Sequence, residues 1–254
     1  MRVIFLSLLC MAAFVISIAV LFPASYVTTK IKADIAPITL SNVHGKLYNG
    51  TVGLVENKDD LLPLEFQNVR WKLAPSTIPT GGGMNIKFDG YGGSGEGLVK
   101  RAWNGDMSVS DMNFTAKAPE FDSLTLPFAS LKGDVSGAVQ SLQLKNQLMR
   151  EFVGQLIWKD AELTLPVQMA LGKVELDIKP EAENTHIANI KARGGEVDAE
   201  GKVTITLQGD FNADVLLTPT SSASPDIVNT LSQFARRDAQ GRFRWVQRGN
   251  VNRL

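Results

Sequence analysis

The chain has 254 residues with 26 basic and 26 acidic side chains, so no net charge biases it toward an acidic or a basic partner. Its only cysteine, Cys10, lies in an apolar stretch, which excludes a disulfide and a structural zinc site from the polar remainder. The two histidines, His44 and His186, have no second histidine near them at metal-ligand spacing.

The chain opens with Arg2 and then Val3 to Phe22, twenty uncharged residues interrupted only by Ser7 and Ser17. As a helix rising about 1.5 Å per residue, the run would be about 30 Å long, the thickness of a bilayer core. Val3, Phe5, Leu9, Phe14, Ile18 and Phe22 are its expected anchor residues. A cleaved signal peptide has a shorter apolar core and then a small-x-small site. Cleavage after Ala24 would put Phe22 at the third residue before the cut, and cleavage after Ala19 falls inside the run. Leu9 is too large to precede a lipidated Cys10. An uncleaved anchor is therefore expected, with Lys30 and Lys32 opposing Arg2 in the orientation signal. The short amino-terminal tail favours export of the long polar remainder. An exported domain without disulfides suits a bacterial periplasm, and export argues against a nucleic-acid partner.

Beyond a linker over 25–36, helical periodicity nearly vanishes between Ile38 and Pro219. Short alternating runs recur instead: Leu47 to Leu54, Phe66 to Leu73, Met84 to Phe88, Met107 to Phe114, Gly133 to Leu144, Val174 to Ile178 and Val203 to Leu207. Clusters of Gly, Asn, Asp or Pro separate them, which predicts an antiparallel β domain. In Val203-Thr-Ile-Thr-Leu207 the apolar side chains point one way and the threonines the other, so one face is buried and one wet. A curved sheet, a roll and a sandwich all satisfy this pattern. Asn49-Gly50-Thr51 matches a glycosylation sequon and reads as a turn.

The β region repeats. Gly45-Lys-Leu-Tyr-Asn-Gly50 precedes Val69-Arg-Trp-Lys-Leu73, and Gly133-Asp-Val-Ser-Gly137 precedes Leu156-Ile-Trp-Lys159. The first glycine stands 26 residues before Trp71 in one case and 25 before Trp158 in the other. Two similar halves follow: an anchor over 1–24, a first β module over 37–127, and a second over 128–254 that carries a helix and a basic tail. Lys145 to Phe152 reads as a short helix or loop between the halves. Pro225 to Arg237 reads as a helix capped by Ser224, with Ile227, Val228, Leu231 and Phe234 packing on the sheet. Arg242 to Gln247 is then a last strand.

From Leu231 onward six arginines face Asp238 alone, a local balance of +5 that leaves −5 for the rest. This tail is either a solvated surface or a face for an acidic partner or lipid head groups. Arg242, Arg244, Trp245 and Arg248 are its candidate contact residues, with Trp245 suited to a membrane-facing or partner-facing edge.

No catalytic set converges. There is no G-x-S-x-G elbow, and in Gly92-Gly-Ser94-Gly-Glu96 the last position is Glu96. Gly90-Tyr-Gly92-Gly-Ser-Gly95 matches G-x-G-x-x-G, but the dinucleotide motif needs a following helix, and Glu96 to Lys100 reads as a strand. Carboxylate pairs such as Asp59-Asp60 read as solvated turn residues. No enzyme, cofactor, metal or small-molecule substrate is expected.

Three pieces in order carry a family resemblance: Gly45-Lys-Leu-Tyr-Asn-Gly-Thr51, Val69-Arg-Trp-Lys-Leu-Ala-Pro75 and Leu231-Ser-Gln-Phe-Ala-Arg-Arg-Asp-Ala-Gln-Gly-Arg-Phe243. With the amino-terminal anchor, the chain resembles the N protein of the type II (general) secretion pathway, Tyr48 standing where a tryptophan is commoner. The resemblance implies a single-pass protein of a Gram-negative inner membrane with a periplasmic domain, accessory to export of folded proteins across the outer membrane. It implies no catalytic residues. The implied partners are the inner-membrane platform proteins and, as a further candidate, the secretin. The family also looks related to AsmA-like envelope proteins, whose curved sheets shelter apolar surface. An apolar groove that binds or transfers lipid is thus the alternative function.

Overall fold

The computed structural model describes residues 23–26, 38–57, 64–122, 129–145, 148–165, 167–182 and 184–250. The expected anchor residues Val3, Phe5, Leu9, Phe14, Ile18 and Phe22 lie outside this set. Among the described residues no helix is long and apolar enough to cross a membrane.

The protein is mainly β, and its strands pair antiparallel as expected. It divides into two compact units, one ending at Gly90 and the other beginning at Tyr91. The first contains β1 (Ile38–Lys46), β2 (Asn49–Asn57), β3 (Leu64–Leu73) and β4 (Gly81–Gly90), each paired with the next. A 3-10 helix over Pro75–Thr80 joins the last two. The second unit runs through β5 (Gly93–Ala102), β6 (Met107–Lys117), β7 (Ser130–Lys145), β8 (Leu148–Leu165), β9 (Met169–Ala182), β10 (Thr185–Gly194), β11 (Val197–Thr206) and β12 (Asp210–Pro219). These are again nearest neighbours in sequence order. Helix α1 (Pro225–Phe234) then leads to β13 (Arg236–Arg237) and β14 (Phe243–Asn250). The last strand pairs with β12 on one side and β13 on the other.

The described residues of the segment expected as a helix or loop, Lys145 and Leu148 to Phe152, are instead the end of β7 and the start of β8, with Leu142 opposite Phe152. Alternation is lost here because Arg150 is an extra residue in the ladder, where Gln143 pairs with Glu151 but Leu144 with Met149. The G-x-G-x-x-G segment is no phosphate loop. Tyr91 and Gly92 both take left-handed φ, 52° and 66°, as a two-residue turn requires, and a strand follows.

Strict alternation is broken at recurrent points. Asn42, Asn68, Asp111 and Asp160 adopt φ of 58°, 50°, 52° and 48°. Asn and Asp tolerate this left-handed region better than other residues with a side chain. Each is exposed, while the apolar residues two before and one after it are less so: Leu40 and Val43, Phe66 and Val69, Val109 and Met112, Trp158 and Ala161. The local kink therefore returns residues i and i+3 to the same face. Register shifts flank three of these residues, at Gln67/Arg70, Glu96/Leu98 and Trp158/Ala161.

The paired tryptophans make similar bonds. The Trp71 indole N–H donates to the Leu47 carbonyl at 3.0 Å, and that of Trp158 donates to the Lys132 carbonyl at 2.9 Å. Leu47 lies within the glycine-marked segment that precedes Trp71, and Lys132 immediately before the one that precedes Trp158. Gly50, opposite Trp71, leaves no room for a Cβ beneath the ring.

In the second unit, Ala161, Val174, Ala192, Ala199 and Val215 form one buried cluster across β8 to β12. A second cluster joins Val197 and Phe243 to Ile227, Leu231 and Ala235, so α1 lies on the same side of the sheet. The Ser224 Oγ accepts the Ile227 N–H at 3.4 Å, and Pro225 starts the first turn as expected. The helix stops at Phe234, short of Arg237. Ala235 is extended and buried at that end, and Phe234 is left 53 % exposed rather than packed.

Candidate functional site

The carboxy-terminal strand splits the four candidate contact residues between two environments. Trp245 lies opposite Val215 and packs against both buried clusters, on the same side as Phe243. Arg244 and Arg248 alternate with it and point to the exposed side. Arg244 grips Asp214 with both ends of its guanidinium, Nε at 2.8 Å from Oδ1 and Nη2 at 2.5 Å from Oδ2. These hydrogen bonds hold the Asp214 carboxyl below its ordinary pKa. Both groups are solvent-accessible, so the pair contributes little net stability. Arg248 reaches Asn212 Oδ1 at 3.1 Å.

Arg242 is tied into its own turn. Its backbone N–H and its Nε donate to Asp238 at 2.9 and 2.7 Å. Burial raises the Asp238 pKa, but the Arg242 and Gln240 hydrogen bonds outweigh it and leave the carboxyl below its usual range. Arg237 on β13 lies 5.6 Å from the centre of the Phe243 ring. Much of the tail's positive charge is thus held in place by the fold. Arg244 and Arg248 share a face, Arg242 closes a loop, and Trp245 anchors the core side.

A polar hollow of about 470 Å³ lies on the first unit, lined by Asn42, His44, Thr51, Asn68, Arg70 and Asp89 among others. Two of the left-handed residues, Asn42 and Asn68, shape it. The Asn42 carbonyl is 2.9 Å from His44 Nδ1, and the Asn68 amide donates to Asp89 at 3.1 Å. Among the described residues no three His, Cys, Asp or Glu side chains are grouped to hold a metal.

The second unit carries a long apolar face. Register places Phe114, Gly137, Leu156, Leu176, Ile190, Gly201, Val215 and Trp245 in one row across β6 to β14. All except Gly137 and Val215 are only half-buried. Among the described residues, α1 covers one end of this face. His186 sits on the same face and is 2 % exposed. Its Nε2 accepts the Phe152 N–H at 3.1 Å, which places the neutral ring's proton on Nδ1, an atom with no partner among the described residues. Burial pushes the His186 pKa below the ordinary 6.5, against the pull of the Glu151 carboxylate.

Residues 36–246 match the family model described as type II secretion system (T2SS), protein N, a span that runs from before β1 into β14. The chain belongs to that family. It therefore has an accessory role in type II secretion and other components of that system as its partners. No curated protein and no solved structure matches it. The protein N match takes in Arg242, Arg244 and Trp245 and ends two residues before Arg248.

Sequence reasoning did not find the polar hollow or the burial of His186. The hollow draws on four strands separated by loops, and its visible signal was the recurrent Asn within otherwise apolar runs. His186 looked like any strand residue until Phe152, 34 residues earlier, was placed beside it.

Proposed function

We propose that this protein N is a noncatalytic accessory component, held in the inner membrane by residues 3–22 with its β units in the periplasm. There it supports export of folded proteins across the outer membrane. The observation that supports this is the family match over 36–246, which begins after the apolar run and takes in nearly all of the β structure. Its partners are the inner-membrane platform proteins, with the secretin as a further candidate. Arg244, held by Asp214, and Arg248 are exposed on the wet face of β14 and offer it a basic docking surface. Deleting the gene in a secreting host should reduce the extracellular level of a folded cargo, and full-length protein should restore it. Affinity purification of the tagged protein should recover platform proteins, less so for Arg248→Glu. Unchanged secretion together with no recovered component would overturn the proposal.

A second reading rests on the half-buried apolar row of the second unit. A sheet with one such face usually buries it against another layer. Here that face suits the acyl chains of an amphipathic lipid, as in the AsmA-like proteins to which the family looks related. Native mass spectrometry of gently extracted full-length protein should then show stoichiometric lipid, and its absence would remove this reading.

A further inference from the structure

The wet face of the first unit has a charge polarity. Register sets Lys46, Asn49, Lys72 and Asn85 in one cross-strand row and His44, Thr51, Arg70 and Lys87 in the next. Neighbouring strands lie about 4.8 Å apart, and residues two along a strand about 6.7 Å, so both rows fit within about 15 by 7 Å. Neither row contains a carboxylate. Arg70 and Lys72 are exposed and have no ion-pair partner among the described residues. The acidic groups Glu56 and Glu65 lie toward the other end of these strands, while Asp89, two residues beyond Lys87 on the rim of the hollow, accepts the Asn68 amide.

The basic end is also where the chain emerges from its apolar run. Pro23, the residue after Phe22, forms an antiparallel bridge with Lys46. Such partners have Cα atoms about 4.5–5.5 Å apart. Ala24 is 2 % exposed, so the chain is packed down two residues after Phe22. At physiological salt, exposed charges act over about 8 Å. A patch that starts beside the end of a bilayer-spanning segment lies within one or two such lengths of the head groups.

We propose that Lys46, Arg70, Lys72 and Lys87 form a surface for the phosphate groups of anionic phospholipids in the bilayer that holds residues 3–22. The inference rests on the membrane-anchor reading. Docked in this way, the first unit lies against the membrane, and its orientation there is set by charge as well as by the tether. Each basic residue near an anionic surface shifts the docked-to-free ratio about fivefold.

The test uses full-length protein with Cys10→Ser and Thr51→Cys, carrying a fluorophore on the new thiol. It is reconstituted in liposomes of phosphatidylcholine, alone or mixed with phosphatidylglycerol, that contain a head-group quencher. Quenching should be stronger in the anionic liposomes and should weaken as salt is raised. Adding Arg70→Glu, Lys72→Glu and Lys87→Glu should lower the docked-to-free ratio by at least about 100-fold. The milder pair Arg70→Gln and Lys72→Gln should lower it about 25-fold, with intrinsic tryptophan emission showing that the fold is kept. Equal quenching in neutral and anionic liposomes, or in parent and variants, overturns the lipid surface. Release of the parent protein from liposomes by alkaline carbonate overturns the anchor reading itself, and the inference with it.

Discussion

Phe243 gives the sharpest measure of how α1 and the sheet depend on each other. The side chain is 0 % exposed and packs with Val197, Ile227, Leu231 and Ala235. Phe243→Ala removes the ring from between helix and sheet, where neither can collapse fully into the space. The lost transfer energy and the remaining cavity together cost about 3–5 kcal/mol. That is a large share of the 5–15 kcal/mol, roughly, that holds a domain together. Phe234→Ala provides the control: the same ring is removed from α1 itself, but from a site 53 % exposed. With half its surface already in water, it should cost about 1 kcal/mol or less. Urea unfolding of the full-length protein in mild detergent, followed by tryptophan emission, reads both. Trp245 packs against the same cluster and reports on it directly. Equal costs for the two variants, or less than about 1 kcal/mol for Phe243→Ala, would refute the claim that this contact locks the helix down.

Three other predictions concern local devices. Because burial lowers the His186 pKa, the unfolded chain binds a proton there near 6.5 while the folded chain does not. Stability should therefore fall as pH drops from about 7 toward 5, and His186→Gln, which keeps an acceptor for the Phe152 N–H, should flatten that slope. Superimposable pH profiles for parent and variant would contradict this. At Asp160, φ 48°, replacement by Gly should change unfolding free energy by less than about 0.5 kcal/mol, whereas Val should cost about 1–2 kcal/mol. If both variants unfold at the same urea concentration, the left-handed kink is not needed. Ser224→Ala removes the cap on the Ile227 N–H and should cost about 1 kcal/mol, while Ser224→Asn should restore most of it in the same assay.

The strands that were legible from sequence include those whose alternation runs uninterrupted, such as Val203 to Thr206 at the end of β11. Where Asn42 and Asp160 turn left-handed, the apolar spacing becomes i, i+3, and neither β1 nor β8 stands out as an alternating run, whereas the runs through Asn68 and Asp111 stay legible in β3 and β6. Helix α1 was legible because capping and helical spacing are local signals. Its end was not, because Ala235 leaves the helix for a place in the sheet cluster.

By itself the sequence determined that the chain starts with an apolar run of bilayer length, that its remainder is antiparallel β with a capped helix near the end, and which family it resembles. Those properties follow from composition, periodicity and short motifs. Tertiary structure decided which face each residue serves. Trp245 and Arg244 are adjacent in sequence, yet one packs into the core and the other grips Asp214, because successive strand residues point to opposite sides. Lys46, Arg70, Lys72 and Lys87 are spread over three strands, and only their register gathers them beside Pro23. Such patches depend on strand pairing across loops, and no local pattern encodes that pairing.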